Sequence, residues 1–153
     1  MLVVIDNLRY DQWKALEPSI NTYYKFQEDS LYFSILPTAT QYARNAIFSG
    51  LMPSDMEKIH PEYWKNDTDE GGKNMKEKEL LAANLKRHGK DIKFSYHKIT
   101  NLNAGKKLND NFNQLADNNL NVIVYNFVDM LSHARTEMEV IRELADDESA
   151  YRS

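Results

Sequence analysis

The sequence LPTATQYARNAIFSGLMP, residues 36–53, marks a turn from a strand into a helix and decides the fold. The apolar run 31–36 leads into it and predicts a buried strand. Pro37 ends that strand, because proline has no N–H for sheet pairing. Thr40 stands where a helix begins, and Gly50 stands where it ends. The stretch is therefore typical of a sheet with helices packed on it.

Thr38 and Thr40 place hydroxyl groups at this turn. The first backbone N–H groups of a helix have no partner within the helix, so a hydroxyl beside them is well placed to hold a phosphate. The alternative is that either threonine is only a helix N-cap, a position that threonine favours. Arg44 lies one turn after Thr40 on the same face, where it would contact a phosphate or line a solvated groove.

Two further apolar runs predict central strands of a parallel sheet, buried on both faces. The first is Leu2–Ile5, which ends in Asp6, and the second is Val122–Val128, which ends in Asp129. The run Ile92–Tyr96 alternates with polar residues and predicts a half-exposed strand near an edge. The predicted fold is α/β, a doubly wound and mostly parallel sheet with helices on both faces.

Helices are expected between these strands wherever apolar residues recur at helical spacing. The first is predicted over Asp11–Gln27, with a break or kink at Pro18, and the second over Thr40–Ser49. Further helices are predicted around Leu80–Leu85, with an end at Gly89, over Leu108–Leu115, and after His133. Two segments are predicted to be loops, namely Asn101–Lys107 and the polar residues 54–76, the second of which is long enough to act as a lid.

The composition is that of a single folded domain over residues 1–153. The net charge is -4, with acidic and basic residues interspersed, which argues against non-specific binding to nucleic acid. The chain has no cysteine, so a metal would have to bind Asp, Glu, His or hydroxyl groups. The apolar runs are too short to insert into a membrane, and Met1 leads directly into a strand without a signal peptide, so the cytoplasm is the expected location.

The carboxyl ends of parallel strands lie at one edge of the sheet, where open α/β sheets bind ligands. Asp6, Thr40, Asp129 and His133 each follow a predicted strand and should therefore converge there. His133 comes four residues after Asp129, so that both side chains can reach one metal ion. Carboxylate with imidazole suits zinc or manganese, and carboxylates alone suit magnesium.

In this order, these motifs resemble the alkaline phosphatase superfamily. The motifs are VVIDNLR at residues 3–9, PTAT at 37–40 with SGLMP at 49–53, and the Asp129 and His133 pair. Within the superfamily the chain is most similar to the PglZ domain, and in particular to the output domain of PorX-type response regulators of two-component signalling, which are associated with type IX secretion in Bacteroidetes.

The resemblance implies a phosphatase or phosphodiesterase that uses two zinc ions and acts on a phosphate ester or nucleotide. It implies that Thr40 is the nucleophile and a ligand of one zinc together with Asp6, and that Asp129 and His133 are ligands of the other zinc. Arg44 is the candidate substrate contact because of its position one turn after Thr40. A sulfatase is less compatible, because sulfatases carry Cys or Ser where Thr40 stands.

The family also has an Asp-His pair and another histidine later in the domain, and neither follows His133 in these residues. The chain is thus expected to be the front part of one catalytic domain, with about two protein ligands for each zinc. The alternative is a non-catalytic signalling or protein-interaction domain that keeps the fold. Signalling partners and a homodimer are expected for the full-length protein in either case.

Overall fold

The computed structural model describes residues 1–64, 73–126 and 128–129, which form two compact units. The first unit joins Met1–Ser30 to the residues from Phe94 onward, and the second is the continuous segment Leu31–Lys93. In chain order the described helices and strands are β1 (Leu2–Ile5), α1 (Tyr10–Ile20), α2 (Thr40–Ser49), α3 (Pro53–Ile59), α4 (Glu77–Arg87), β2 (Phe94–Ile99), α5 (Leu102–Asp110) and β3 (Leu120–Tyr125), with 3-10 turns at Lys73–Met75 and Phe112–Leu115.

The first unit is built on a small parallel sheet in which β3 is central and the strand order is β1-β3-β2. Val122 and Val124 of β3 are completely buried, as expected for a β-branched strand that pairs on both sides. Ile5 and Ile99 are both in register with Tyr125, so all three strands reach the same edge together. The parallel pairing, the buried β3 and the position of β2 at an edge are confirmed, with shifted boundaries. The prediction that Leu2–Ile5 is a central strand buried on both faces is wrong, because β1 lies at the other edge of the described sheet and Leu2 and Val3 are 38% and 48% exposed.

Two helix predictions in the first unit are wrong at their boundaries. Helix α1 ends at Ile20 rather than Gln27, two residues after Pro18, which has no N–H to bond the Lys14 carbonyl and so weakens the last turn. Residues 102–107, predicted as loop, begin α5 instead. The reason is Asn101, whose side chain accepts the Ala104 N–H at 2.9 Å and caps the helix.

Helix α2 spans the residues that the sequence predicts and ends at Gly50, whose φ of 63° lies in the left-handed region. It packs against α4, and the core of the second unit consists of side chains that are almost fully buried, namely Phe48, Met56, Leu80 and Leu81. The loop predicted over residues 54–76 is wrong for residues 54–59, which belong to α3. Pro53 starts this short helix and Met56 anchors it, while residues 65–72 of the predicted loop lie outside the described residues.

The prediction of a buried strand over residues 31–36 is wrong. None of these residues belongs to a strand, and Leu31, Phe33 and Leu36 are 87%, 104% and 89% exposed. An apolar run becomes a strand only when a neighbouring strand pairs with its backbone, and the described residues supply no such partner. The run is therefore an exposed connection between α1 and α2.

None of the helices in the described ranges has the length and apolar character that a bilayer-spanning segment requires.

Two glycines after helices allow the role of close packing to be separated from that of backbone strain. Gly50 and Gly89 have almost the same left-handed φ, 63° and 64°, which an L-residue adopts at a cost of about 1–2 kcal/mol. A Cβ at Gly50 would lie 3.2 Å from side-chain atoms of Arg87 and Asn84, whereas a Cβ at Gly89 would have no neighbour within 4 Å. We expect Gly89→Ala to lower the free energy of unfolding by the strain alone and Gly50→Ala to lower it further. Urea denaturation of both variants measures this, and equal losses would contradict it.

Candidate functional site

Two predicted site residues follow adjacent parallel strands of the first unit. Asp6 directly follows β1, and its backbone N–H donates to the Tyr125 carbonyl at 3.0 Å, so it extends the pairing of β1 with β3. Asp129 follows β3, the strand next to β1. Both carboxylate residues are half-buried. The edge therefore carries two acidic side chains on adjacent strand ends, which is a suitable environment for a divalent cation.

The backbone makes a sharp turn directly after Asp6. Asn7 has a φ of 58°, a left-handed conformation that asparagine tolerates better than most residues. Arg9 then pairs with Asp11 at 2.7 Å, and these hydrogen bonds hold the pKa of the Asp11 carboxyl below its ordinary value. Asp11 is thus engaged at the start of α1, and Asp6 is the acidic residue that this segment contributes to the edge.

The carboxylates of Asp6 and Asp129 are suitable metal ligands, but they do not complete a metal site among the described residues. Within residues 1–64, 73–126 and 128–129, no three His, Cys, Asp or Glu side chains lie close enough to hold an ion. The next predicted ligand, His133, lies outside the described residues. A metal at this edge would therefore need ligands beyond the two carboxylates.

Thr40 is the first residue of α2, in the second unit, and is half-buried. The N-cap of α2 is Ala39, with φ -66° and ψ 138°, so the alternative that Thr38 or Thr40 serves only as the cap is wrong. The Thr40 hydroxyl is therefore available at a helix start beside backbone N–H groups. The convergence of Thr40 with Asp6 and Asp129 was inferred from a strand over 31–36, which does not form in the described structure, so this convergence stays a prediction.

Arg44 is 3% exposed and makes a two-pronged ion pair with Glu77, the first residue of α4, which is 1% exposed. Arg44 Nε donates to Glu77 Oε1 at 2.6 Å, and Nη2 donates to Oε2 at 2.7 Å. Two parallel charge-assisted bonds fix distance and orientation together. The pair gives Arg44 a structural role that differs from the substrate contact predicted from its position after Thr40, and that contact stays a prediction.

Glu77 was missed by the sequence analysis because it stands in a charged segment, where a glutamate normally faces solvent. The signal that could have found it is Arg44 itself. Arg44 lies one turn before Phe48 on the same face of an apolar helix, and a buried guanidinium requires a carboxylate partner.

The other end of α2 is also held by α4. Asn84 Nδ2 donates to the Phe48 carbonyl at 2.9 Å, and Arg87 Nη2 donates to the Ser49 carbonyl at 2.6 Å. These side chains bind the last carbonyls of α2, which have no partner within the helix. Together with the ion pair, they attach α2 to α4 at two points along its length.

Comparison with known proteins identifies one family. The family model described as "BREX system PglZ alkaline phosphatase-like domain" matches residues 1–153. No curated protein matches the chain. The match covers Asp6, Thr40 and the Asp129 and His133 pair, and it agrees with the α/β character of the described sheet.

The buried ion pair predicts a strongly non-additive mutant cycle. Glu77→Ala leaves the Arg44 guanidinium buried without its carboxylate, which we expect to cost about 3–5 kcal/mol of unfolding free energy. Arg44→Met combined with Glu77→Leu removes both charges and keeps the volume, so we expect it to recover most of that loss. Urea denaturation of the wild type, both single variants and the double variant measures the coupling. Losses that simply add would contradict a tightly coupled pair.

Proposed function

The chain belongs to the PglZ alkaline phosphatase-like family, and on this premise we propose that it forms part of a metal-dependent hydrolase of phosphate esters with Thr40 as the nucleophile. The observation that carries the proposal is the family match over all 153 residues. The position of Thr40 at the start of α2, where it does not act as the cap, supports its assigned role. An alkaline phosphatase-like domain implies a phosphoester substrate, and we propose that phosphodiesters, including nucleotides, are among them.

In the proposed reaction the Thr40 oxygen attacks phosphorus as its proton leaves. The bond from phosphorus to the ester oxygen breaks in line, and the alcohol departs. Water then hydrolyses the phosphothreonine, which regenerates the Thr40 hydroxyl and releases the phosphate product. Covalent catalysis of this kind divides one difficult displacement into two easier ones.

We propose zinc as the metal, with two ions in the complete domain. Asp6 and Thr40 would hold one ion, and Asp129 and His133 would hold the other. When bound, the zinc would supply a lowered pKa for the attacking hydroxyl and charge stabilisation for the leaving oxygen. Two ligands for each ion fall short of the three or four that zinc takes from proteins, so we propose that further ligands complete both sites and that these residues are the front part of the catalytic domain.

The finer family resemblance supports a wider proposal about biological context. We propose that the chain is the output domain of a cytoplasmic PorX-type response regulator linked to type IX secretion. We further propose that the complete sheet is doubly wound with helices on both faces. A homodimer and signalling partners are part of the same proposal.

A non-catalytic interaction domain is the second candidate. The observation that favours it is the exposed apolar run 31–36, because exposed apolar patches often mark protein-binding surfaces. This candidate predicts that no substitution at Thr40 changes a hydrolytic rate, since no such rate would exist.

The nucleophile is tested by substitutions at Thr40 in the complete gene product, assayed with a chromogenic phosphodiester in the presence of zinc. We expect Thr40→Ala to remove hydrolysis because the attacking oxygen is gone, and Thr40→Ser to keep part of it because the hydroxyl remains. Thr38→Ala is the matched control, since Thr38 precedes the N-cap of α2, and we expect a smaller effect. Loss of turnover in Thr38→Ala with full turnover in Thr40→Ala would assign the reaction to the other threonine. Unchanged turnover in both would favour the interaction domain.

The metal site is tested by zinc content after gel filtration of the same protein. We expect Asp6→Ala to lower zinc content and activity together, because it removes a carboxylate ligand. Thr40→Ala should keep most of the zinc while losing activity, since the hydroxyl is only an additional contact. Asp11→Ala is the control, because that nearby carboxylate pairs with Arg9. Normal zinc content in Asp6→Ala would remove Asp6 from the proposed ligand set.

A further inference from the structure

The ion pair between Arg44 and Glu77 joins the helix that begins with Thr40 to α4. Both side chains are almost completely buried, and both carboxylate oxygens of Glu77 accept from the guanidinium. Burying two charges carries a desolvation cost that their attraction often fails to exceed, so such a pair is weak evidence for a stabilising role. What a two-pronged pair does provide is a fixed relative geometry of the two helices that carry it.

The residue that this geometry controls most directly is Thr40. Arg44 follows Thr40 by four residues on α2, so the two lie on the same face one turn apart. The N-cap of α2 is Ala39, which has no polar side chain to bind the first turn, and the preceding run 31–36 is exposed and unpaired in the described structure. The ion pair of Arg44 is therefore a strong directional contact that holds α2 one turn from Thr40.

The second attachment of α2 lies at its opposite end. Asn84 and Arg87 bind the carbonyls of Phe48 and Ser49. With this end held, loss of the ion pair would weaken the attachment of α2 near its start, so that Thr40 can shift relative to α4. A displacement of about 1 Å at a reacting group costs up to about 100-fold in rate.

We propose that Glu77 is a positioning residue that acts through Arg44 to fix the Thr40 oxygen for attack. The inference rests on the proposed function, because it assigns Glu77 a part in the same reaction. Glu77 does not touch the substrate in this account, and Arg44 is occupied as the link between Glu77 and α2.

The test is Glu77→Gln in the complete gene product with zinc, using the same chromogenic phosphodiester. Glutamine keeps the size of the side chain, but its NH2 group faces the guanidinium, so one of the two bonds is lost. We expect kcat to fall about 10- to 100-fold while KM changes less than about two-fold, because orientation rather than substrate binding is altered. Rates are measured well below the melting temperature of each variant and divided by its folded fraction.

Glu79→Gln is the matched control. Glu79 lies on the same helix and pairs with Lys76 at 3.2 Å, but its side chain is 38% exposed, and we expect kcat to stay at the wild-type value. Hydrogen exchange gives a second readout that does not depend on activity. Exchange of the Tyr42 and Ala43 amides, which donate to the Ala39 carbonyl, should become faster in Glu77→Gln and remain unchanged in Glu79→Gln.

Arg44→Lys keeps the charge and loses the planar fork, so we expect the same pattern of lower kcat with unchanged KM. A raised KM in Arg44→Lys alone would overturn the proposal and make Arg44 a substrate contact. A lowered melting temperature with unchanged kcat in Glu77→Gln would also overturn it, because the pair would then serve stability only. Failure of both variants to fold would do the same, since the pair would be a requirement of the fold itself.

Hydrolysis by the wild-type protein and by Thr40→Ala is measured before the variants of the ion pair. Wild-type hydrolysis that Thr40→Ala removes establishes the reaction, and the Glu77→Gln result then decides the positioning role separately. Absence of hydrolysis in the wild type would overturn both proposals, whereas hydrolysis with unchanged kcat and unchanged exchange in Glu77→Gln would overturn only the positioning role.

Discussion

The pairing of β3 with both of its neighbours is the constraint on which the first unit depends. Strands β1 and β2 bond to β3 and not to each other, and most of the described chain lies between β1 and the strand that it pairs with. The parallel direction of both pairings places every strand exit at one edge. This hydrogen-bond pattern sets the position of Asp6, whose backbone N–H donates to the Tyr125 carbonyl at the end of β3.

The elements that the sequence predicted well are those whose local signals agree with their packing. Helix α2 has an apolar face, a left-handed glycine and a following proline, and its bounds match the prediction. Strand β3 is uniformly β-branched where it is most buried. The run 31–36 carries an equally strong apolar pattern, but strand formation depends on a partner elsewhere in the chain, which no local pattern specifies. The start of α5 was missed for the opposite reason, because the asparagine cap at Asn101 was overlooked in a polar segment.

The candidate site shows the same difference between features that are local in the sequence and contacts that depend on distant residues. Carboxylates at strand ends could be found from the sequence, because the end of an apolar run is a local feature. The partner of Arg44 could not, since Glu77 is 33 residues away and only the packing of α2 on α4 reveals which of several glutamates is buried. Residues that hold a functional helix in place are in general less visible to sequence patterns than residues that carry chemistry.

The division of the chain into two units has a consequence for the order in which they fold during synthesis. The second unit is one uninterrupted segment, so all of its residues have left the ribosome soon after Lys93 is added. The first unit needs β3, and its sheet cannot form before Tyr125 has emerged. Translation adds about 5–20 residues per second, so β1 and α1 wait for seconds with their apolar side chains exposed while the second unit is already able to collapse. The segment Met1–Ser30 is therefore open to chaperone binding until β3 has emerged.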